Sequence, residues 1–329
     1  MNHQEEAIII GAGPCGLAAA IELQRIGIKP LIIEKSNIVH SISQYPTYMN
    51  FFSTSDRLEI GDIPFTSPFE KPSRLEAINY YRTAALRHEL NINAYETVTS
   101  LSPSPDGRFK LESVDRFGDQ QSYSSRYVIV ATGYFDHPNY LGIPGEQLDK
   151  VTHFFRESHP YTGMEVAIIG GSNSAIDAAL ELERAGAKVT VIYRGETYSR
   201  SIKPWVRPIF EKKVENGTIR MLLASRVVEI DKRSVVVENG EGQVSLPNDF
   251  VLALTGFHPD REFLTDAGVE ITEEGFPSFD ENTMETNVPS LFLAGVVASK
   301  HEANEIFIES GRYHGTKIAA HIVASRVAP

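Results

Sequence analysis

The sequence has few of the features that disulfide-bonded, membrane-spanning or nucleic-acid-binding proteins need. Cys15 is the one cysteine among 329 residues, which excludes an intrachain disulfide and a Cys-x-x-Cys redox pair. No apolar run approaches the roughly 20 residues that a helix needs to cross a bilayer. Basic residues number 31 against 43 acidic ones, without long runs of either sign, so we expect no nucleic-acid partner.

Other absences narrow the function further. The first residues, Met1–Ala7, are polar and acidic where a secretory signal would be basic and then apolar, so we expect a cytoplasmic protein without membrane attachment. No G-x-S-x-G element is present, so a serine hydrolase has no support. The histidines stand apart from other potential ligands, and we therefore expect no metal site. Those considered are His137, His153, His159, His258, His301 and His314.

The composition is that of a packed globular protein. Hydrophobic residues make up 42% and charged residues 22% of the chain, which argues against disorder. A length of 329 residues exceeds the usual size of one domain, so two lobes with separate cores are expected.

A nucleotide-binding unit opens the chain. A short apolar strand at 7–10 is followed by G-A-G-P-C-G at 11–16, a helical stretch at 15–26 and a second strand at 30–33. In such a G-x-G-x-x-G turn the first glycine permits the bend, the second lets a pyrophosphate approach and the third allows close helix packing. Glu34 ends the second strand, where a carboxylate accepts hydrogen bonds from a ribose.

The same pattern returns half a chain length later. A strand at 166–169 leads into the turn G-G-S-N-S-A at 170–175, a helix at 174–185 and a strand at 189–192. The position equivalent to Glu34 is Tyr193, which Arg194 follows. Without a carboxylate there, Arg194 and Arg200 can pair with a 2′-phosphate, so NADPH is favoured over NADH. The alternative is that these arginines only form a solvated surface.

The duplication predicts an α/β protein with two Rossmann-like, three-layer nucleotide-binding domains. The Gly- and Pro-containing segment 132–144 is typical of a connection between lobes. The last strand, at 290–294, meets Gly295 and is followed by a helix at about 306–324, and we infer that this tail returns to the first lobe. The domains are therefore a discontinuous nucleotide-binding domain, 1–137 with 256–329, and an inserted NADPH domain at 138–255.

Cys15 lies inside the first turn, at a helix N-terminus. The positive end of the helix dipole stabilises a thiolate there and lowers the pKa of the thiol. Cysteine is also a common small buried filler, and the residues alone leave both interpretations open.

The chain resembles the thioredoxin-reductase-like flavoproteins over nearly its whole length. The resemblance rests on both Gly-rich turns, Glu34, Ala131-Thr132-Gly133 and Leu293-Ala294-Gly295. The variant Pro14-Cys15-Gly16 and the segments 45–54, 58–62 and 303–309 resemble, more narrowly, the bacillithiol disulfide reductases of the YpdA or Bdr family.

The resemblance implies that NADPH reduces FAD and that reduced FAD supports reduction of a low-molecular-weight thiol disulfide, with Cys15 as the sole redox cysteine. It implies a homo-oligomer by analogy only. Thioredoxin reductases carry a Cys-x-x-Cys pair where this chain has Ser172-Asn173-Ser174, which argues against thioredoxin reduction. Val296 also replaces the acidic residue that commonly follows the terminal Ala-Gly.

The predicted site thus has three parts, with Cys15 as the catalytic residue. The FAD contacts are Gly11, Gly13, Pro14, Gly16, Glu34, Lys35, Gln44, Thr132, Gly133 and Gly295. The NADPH contacts are Gly170, Gly171, Ser172, Asn173, Ser174, Arg194 and Arg200. Three alternatives remain: a ferredoxin- or flavodoxin-NADP reductase, a flavin monooxygenase, and a non-enzymatic redox-sensing module.

Overall fold

The computed structural model describes residues 2–300 and 305–327. The chain divides into two compact units, with boundaries between His137 and Pro138 and between Gly256 and Phe257. The first unit is discontinuous and the second is inserted into it. Gly256, which we placed in the first domain from the sequence, lies in the second unit. His301 and the first two residues of segment 303–309 lie outside the described residues.

The elements follow the chain in order. The strands are β1 (Asn2–Ile10), β2 (Leu31–Glu34), β3 (Asn91–Ala94), β4 (Glu96–Pro103), β5 (Phe109–Asp115), β6 (Gln120–Val130), β7 (Val151–Thr152), β8 (Glu165–Ile169), β9 (Lys188–Ile192), β10 (Ile219–Leu222), β11 (Arg226–Ile230), β12 (Ser234–Asn239), β13 (Gly242–Pro247), β14 (Phe250–Ala253) and β15 (Leu291–Leu293). The α-helices are α1 (Pro14–Arg25), α2 (His40–Gln44), α3 (Arg74–Arg87), α4 (Asn173–Arg184), α5 (Arg207–Glu215), α6 (Arg261–Asp266), α7 (Ile308–Gly311) and α8 (His314–Val327). Short 3-10 helices cover Ser55–Leu58, His159–Tyr161 and Gly295–Ala298.

The first unit is built on a sheet with strand order β3-β2-β1-β6-β5-β4, with β15 also paired to β6. Strands β3, β2, β1, β6 and β15 run parallel, whereas β5 and β4 continue the sheet antiparallel. All four residues of β2 are buried, as expected for a parallel strand covered on both faces. Helices α1 and α8 pack so closely that a Cβ added at Gly315 would lie only 2.5 Å from Ala19 Cα.

The second unit has its own sheets and its own core. A parallel sheet has the order β10-β9-β8-β14-β7, and β11, β12 and β13 form an antiparallel sheet. Buried residues from both sheets, including Ile169, Ile192, Val235 and Val251, form one apolar cluster. The predicted α/β class with parallel, Rossmann-like sheets is confirmed in both units.

The C-terminal region differs from the prediction. The sequence predicts one helix at about 306–324, but the structure has two helices, α7 and α8, separated by Arg312 and Tyr313. The Arg312 guanidinium donates to the backbone oxygens of Asp56 and Glu59, at 3.0 and 2.7 Å. Asp56 and Glu59 lie more than 250 positions from Arg312 in the sequence, so the helical periodicity of residues 306–324 could not reveal this break. Across the described part of the chain, no helix combines the length and apolarity needed to cross a membrane.

Candidate redox and nucleotide site

The residues predicted to bind FAD meet at one edge of the first sheet. Ile10 pairs in register with Val130, and Val130 with Leu293, so three parallel strands end at the same level. The Gly-rich turn, the segment 131–133 and the segment 294–295 follow these three ends. Ligands of open α/β sheets bind at the carboxyl ends of the strands. The fold therefore brings together Gly11, Gly13, Pro14, Gly16, Thr132, Gly133 and Gly295.

The glycines of the first turn have separate physical roles. Gly11 has φ +108°, and a Cβ there would lie 2.6 Å from Ala131 O. A Cβ at Gly16 would lie 2.1 Å from Gly11 O, so the turn can pack this closely against α1 only because residue 16 has no side chain. Gly13 instead faces open space, with no atom within 4 Å of the added Cβ. This is the arrangement that lets a pyrophosphate approach the backbone.

Glu34 is a buried carboxylate fixed by backbone donors. Its Oε2 accepts from Ala12 N at 2.7 Å and its Oε1 accepts from Ser36 N at 2.9 Å. A carboxylate held in this way at the end of the second strand is oriented for a ribose. The next residue, Lys35, pairs with Asp136 at 2.5 Å. Gln44, at the end of α2, donates from its Nε2 to Ser43 Oγ at 3.3 Å.

Cys15 is enclosed by two glycine backbones. A Cβ on Gly295 would lie 3.0 Å from Cys15 Sγ, and a Cβ on Gly311 would lie 2.8 Å from the same sulfur. Gly295 belongs to the predicted FAD edge and Gly311 ends α7. The sulfur therefore fits between these segments because both residues lack side chains.

Of the two interpretations of Cys15 that the residues left open, the structure favours the buried thiol over the acidic one. Cys15 is partly exposed as a residue, but its thiol is enclosed, and burial raises its pKa to about 12. Desolvation disfavours the charged form of a buried thiol. This effect opposes, and here exceeds, the stabilisation expected from the N-terminus of α1. The resting group is therefore a neutral thiol at neutral pH.

His314 supports the same edge from the first turn of α8. The Gly295 N–H donates to His314 Nδ1 at 3.2 Å, so Nδ1 is the unprotonated ring nitrogen. Burial, with a smaller contribution from the positive charge of Lys317, lowers the pKa of His314 to about 4. The neutral imidazole thus holds the backbone of Gly295, which also contacts Cys15.

The low pKa of His314 predicts a stability loss in acid. Because the folded-state value lies below the ordinary 6.5, this stability is complete above about pH 6.5 and falls as pH drops towards 4. Between about pH 7 and about pH 5 we expect His314 to account for a loss of about 2 kcal/mol in the free energy of unfolding. Denaturant titrations of the intact protein and His314→Asn should differ by this amount in their pH dependence. Equal losses in both proteins would show that His314 does not titrate in this way.

An aromatic cluster near Cys15 was not predicted. Tyr45 and Phe135 meet edge to face at 5.2 Å, and Phe135 stacks on Phe257 at 4.9 Å. Burial raises the pKa of Tyr45, with smaller contributions from Tyr134 and Cys15, so it stays protonated at neutral pH. Tyr45 begins segment 45–54, whose resemblance to the disulfide reductases was the one sequence signal available for it.

In the second unit, the predicted NADPH turn is tied to a neighbouring loop. Asn173 Nδ2 donates to Ser201 O at 2.8 Å and Asn173 Oδ1 accepts from Lys203 N at 2.9 Å. The Ser201 hydroxyl donates to Ser172 Oγ at 3.1 Å. The loop that carries Arg200 is therefore fixed beside the turn at 170–174.

Tyr193 replaces the carboxylate of the first unit with a packed ring. A Cβ on Gly171 would lie 2.4 Å from ring carbons of Tyr193, and a Cβ on Gly195 would lie 2.5 Å from the same ring. The ring is therefore held between two glycine backbones. It fills the place at the strand end where an acidic residue would face a ribose hydroxyl.

A cavity of about 300 Å³ adjoins this position. The described residues that line it are Arg194, Ala224, Ser225, Arg226, Glu238 and Asn239. Arg200 is exposed and lies outside this set. The structure thus places Arg194 beside Arg226, which sequence reasoning missed because Arg226 lies on β11, beyond the βαβ unit. Arg226 in turn pairs with Glu238 at 2.5 Å.

No group of three potential metal ligands occurs within residues 2–300 and 305–327. His153 and Glu146 approach each other to 3.5 Å, and His321 and Glu285 to 3.1 Å, but each is only a pair. The reactive group at the edge predicted to bind FAD is the buried thiol of Cys15.

Comparisons with known proteins identify the family of the chain. Residues 8–295 match the family model described as pyridine nucleotide-disulphide oxidoreductase. The chain is 53% identical over 321 residues to bacilliredoxin reductase Bdr of Bacillus subtilis (strain 168), covering 97% of this chain and 98% of the relative.

Two solved structures are similar over the same length. Bacillithiol disulfide reductase Bdr (YpdA) from Bacillus cereus matches with a TM-score of 0.97 at 50% identity, covering 98% of this chain and 100% of that one. The Staphylococcus aureus protein of the same name matches with a TM-score of 0.94 at 46% identity, covering 98% and 99%. Enzymes of this class use a flavin and a nicotinamide nucleotide. The chain is therefore an oxidoreductase that belongs to the pyridine nucleotide-disulphide oxidoreductase family and, within it, to the Bdr (YpdA) group.

Proposed function

We propose that this chain is an FAD-containing, NADPH-dependent reductase of a low-molecular-weight thiol disulfide, and that bacillithiol disulfide is its substrate. The observation that carries the proposal is the contact of Cys15 Sγ with Gly295, at the strand edge where the FAD residues converge. Relatives at 46–53% identity that carry the names bacilliredoxin reductase and bacillithiol disulfide reductase support the choice of substrate.

The residues at the first edge fit FAD. Gly13 leaves open space for the pyrophosphate just before α1, and the first backbone N–H groups of a helix, which have no partner within the helix, favour an anion. Glu34 would hold the ribose, and Lys35 and Gln44 complete the proposed set of contacts. Val296 gives the last segment no carboxylate, so Gly295 and its neighbours would contact the flavin through their backbone.

The second unit would bind NADPH. The turn at 170–174 would hold the pyrophosphate, and Arg194 would pair with the 2′-phosphate. Arg226 lines the same cavity, where its positive charge is paired with the Glu238 carboxylate. When both cofactors are bound, they supply the electron pair that originates in NADPH.

The role of Arg194 predicts a change in cofactor preference. Arg194→Gln should raise the KM for NADPH about tenfold, because one charge-assisted pair with the 2′-phosphate is lost. The KM for NADH should stay within about twofold, because NADH lacks that phosphate. Steady-state rates with both nucleotides provide the measurement, with Arg184→Gln, on the exposed face of α4, as the matched control. Equal changes for both nucleotides would contradict the assignment.

The chain's own chemistry begins at Cys15. The thiol loses its proton as Sγ attacks one sulfur of the disulfide, the S–S bond breaks, and the first thiol leaves with a proton. A mixed disulfide then joins Cys15 to the second thiol, and its reduction consumes two electrons and releases that thiol. In total, one disulfide, one NADPH and one proton yield two thiols and NADP⁺.

The proposal is tested by anaerobic turnover with bacillithiol disulfide. We expect NADPH oxidation to depend on the disulfide and to release two thiols for each NADPH consumed. If ferredoxin supports NADPH oxidation and the disulfide does not, the substrate assignment is wrong. The assignment of the two nucleotide-binding units would not be affected by that result. We also propose that the protein is cytoplasmic and that it forms a homo-oligomer. Sedimentation of the purified protein would test the oligomeric state.

A further inference from the structure

Four side chains connect the C-terminal region to the segment that precedes α3. Glu309, on α7, accepts a hydrogen bond from the Ser53 hydroxyl and pairs with Arg57 at 3.1 Å. Arg312, directly after α7, donates to the backbone of the short helix Ser55–Leu58 and of the residue after it. We call Ser53, Arg57, Glu309 and Arg312 the latch.

The latch holds α7 directly against the reactive sulfur. Gly311, the last residue of α7, lies between Glu309 and Arg312 in the chain. A Cβ there would come within 2.8 Å of Cys15 Sγ and within 3.1 Å of Gly295 Cα. Whatever fixes α7 therefore also fixes one wall of the space around the sulfur.

Helix α7 cannot hold this position by itself. It spans four residues, and a single helical turn is unstable without tertiary contacts. The latch contacts are individually weak, because Arg57 is 65% exposed and exposed ion pairs contribute little. Arg312 Nε is buried without a hydrogen-bond partner within the described residues, which costs free energy when α7 is in place. Few contacts, those of the latch among them, therefore hold α7 in the position that the structure shows.

We propose that Glu309 and Arg312 are positioning residues for the disulfide reaction, which hold α7 over Cys15 and thereby limit access to its thiol. A disulfide reaches Sγ when the latch releases α7. The inference rests on the proposed role of Cys15.

The reactivity of Cys15 tests the proposal without any substrate. The intact, flavin-bound protein is treated with dithiodipyridine in the absence of NADPH. Cys15 Sγ attacks the probe, forms a mixed disulfide, and releases one pyridine thione that carries the thiol proton. Because Cys15 is the one cysteine, the released chromophore reports on this sulfur alone.

Release of the latch should speed this reaction. We expect Glu309→Gln and Ser53→Ala each to raise the rate about fivefold to tenfold, the effect of losing one charge-assisted hydrogen bond. Ser53→Thr keeps the hydroxyl and should retain the slow rate. Glu6→Gln removes an exposed pair with Arg326 in the same unit and serves as the matched control.

Two checks separate the latch from general destabilisation. Each variant must keep its flavin and its thermal midpoint, and Arg312→Lys provides a milder change that keeps the charge. Equal rates in the intact protein and all latch variants would overturn the proposal. If the latch variants react faster with the probe but no protein turns over bacillithiol disulfide, the latch is supported and the proposed substrate is rejected. Failure of the latch and failure of the proposed function therefore give different results.

Discussion

Replacement of Cys15 with alanine is expected to stop thiol release from bacillithiol disulfide while NADPH still bleaches the bound flavin. The proposed FAD contacts come from backbone segments and from the Glu34, Lys35 and Gln44 side chains, and the Cys15 thiol is not one of them. Loss of the nucleophile should lower the rate of thiol release by roughly a thousandfold or more. Anaerobic rapid mixing would follow flavin absorbance and free thiol in the same samples.

Cys15→Ser is the matched control for size, since it keeps a small polar side chain between Gly295 and Gly311. It should behave like the alanine variant, because a serine hydroxyl cannot form a mixed disulfide. Undiminished thiol release by either variant would exclude Cys15 as the nucleophile. Failure of flavin bleaching in both would show instead that the sulfur supports the flavin site.

Gly13→Ala is expected to yield a folded protein that has lost most of its FAD. The added methyl group meets no protein atom within 4 Å, so it should cost little stability. It would project into the space assigned to the pyrophosphate, and we expect FAD affinity to fall by about a hundredfold or more. Flavin content after dialysis and the thermal midpoint of the cofactor-depleted protein are the two measurements.

Gly16→Ala provides the contrast. Its methyl group would lie 2.1 Å from Gly11 O, a backbone atom that cannot move without displacing the turn. We expect a loss of roughly 3 kcal/mol in the free energy of unfolding, whether or not FAD is bound. Equal flavin content in the intact protein and Gly13→Ala would contradict the position of the pyrophosphate.

The local parts of this molecule could be predicted because their signals are local. Both βαβ units were located from apolar strands followed by Gly-rich turns. In the structure, the end of β1 and both ends of α1 and β2 lie within one residue of the predicted positions. Strand β1 begins earlier, at Asn2, because its polar first half pairs with β6. The roles of Gly11 and Gly16 also followed from spacing, since backbone sterics are similar in every such turn.

The remainder depends on contacts that spacing does not encode. The residues left open whether the helix N-terminus makes the Cys15 thiol acidic, because its burial beside Gly295 and Gly311, which raises the pKa, depends on distant parts of the chain. The break between α7 and α8 depends on Arg312 reaching the segment at 56–59. The packing of Tyr193 between two glycines likewise requires three-dimensional information.

The high pKa of Cys15 also predicts how its reaction depends on pH. The thiolate is the nucleophile, so its concentration rises about tenfold for each unit of pH below the pKa of the thiol. With a pKa of about 12, the reaction of Cys15 with dithiodipyridine should rise throughout the neutral and mildly alkaline range without a plateau. A plateau near neutral pH would show that the thiol is acidic in the flavin-bound protein.

Intact-protein mass spectrometry tests the central claim most directly. The flavin-bound protein is mixed anaerobically with bacillithiol disulfide, first alone and then with NADPH. We predict an adduct of one bacillithiol on Cys15, absent from Cys15→Ala, that disappears when NADPH is added. No adduct, or an adduct that persists in the presence of NADPH, would contradict disulfide reduction through this cysteine.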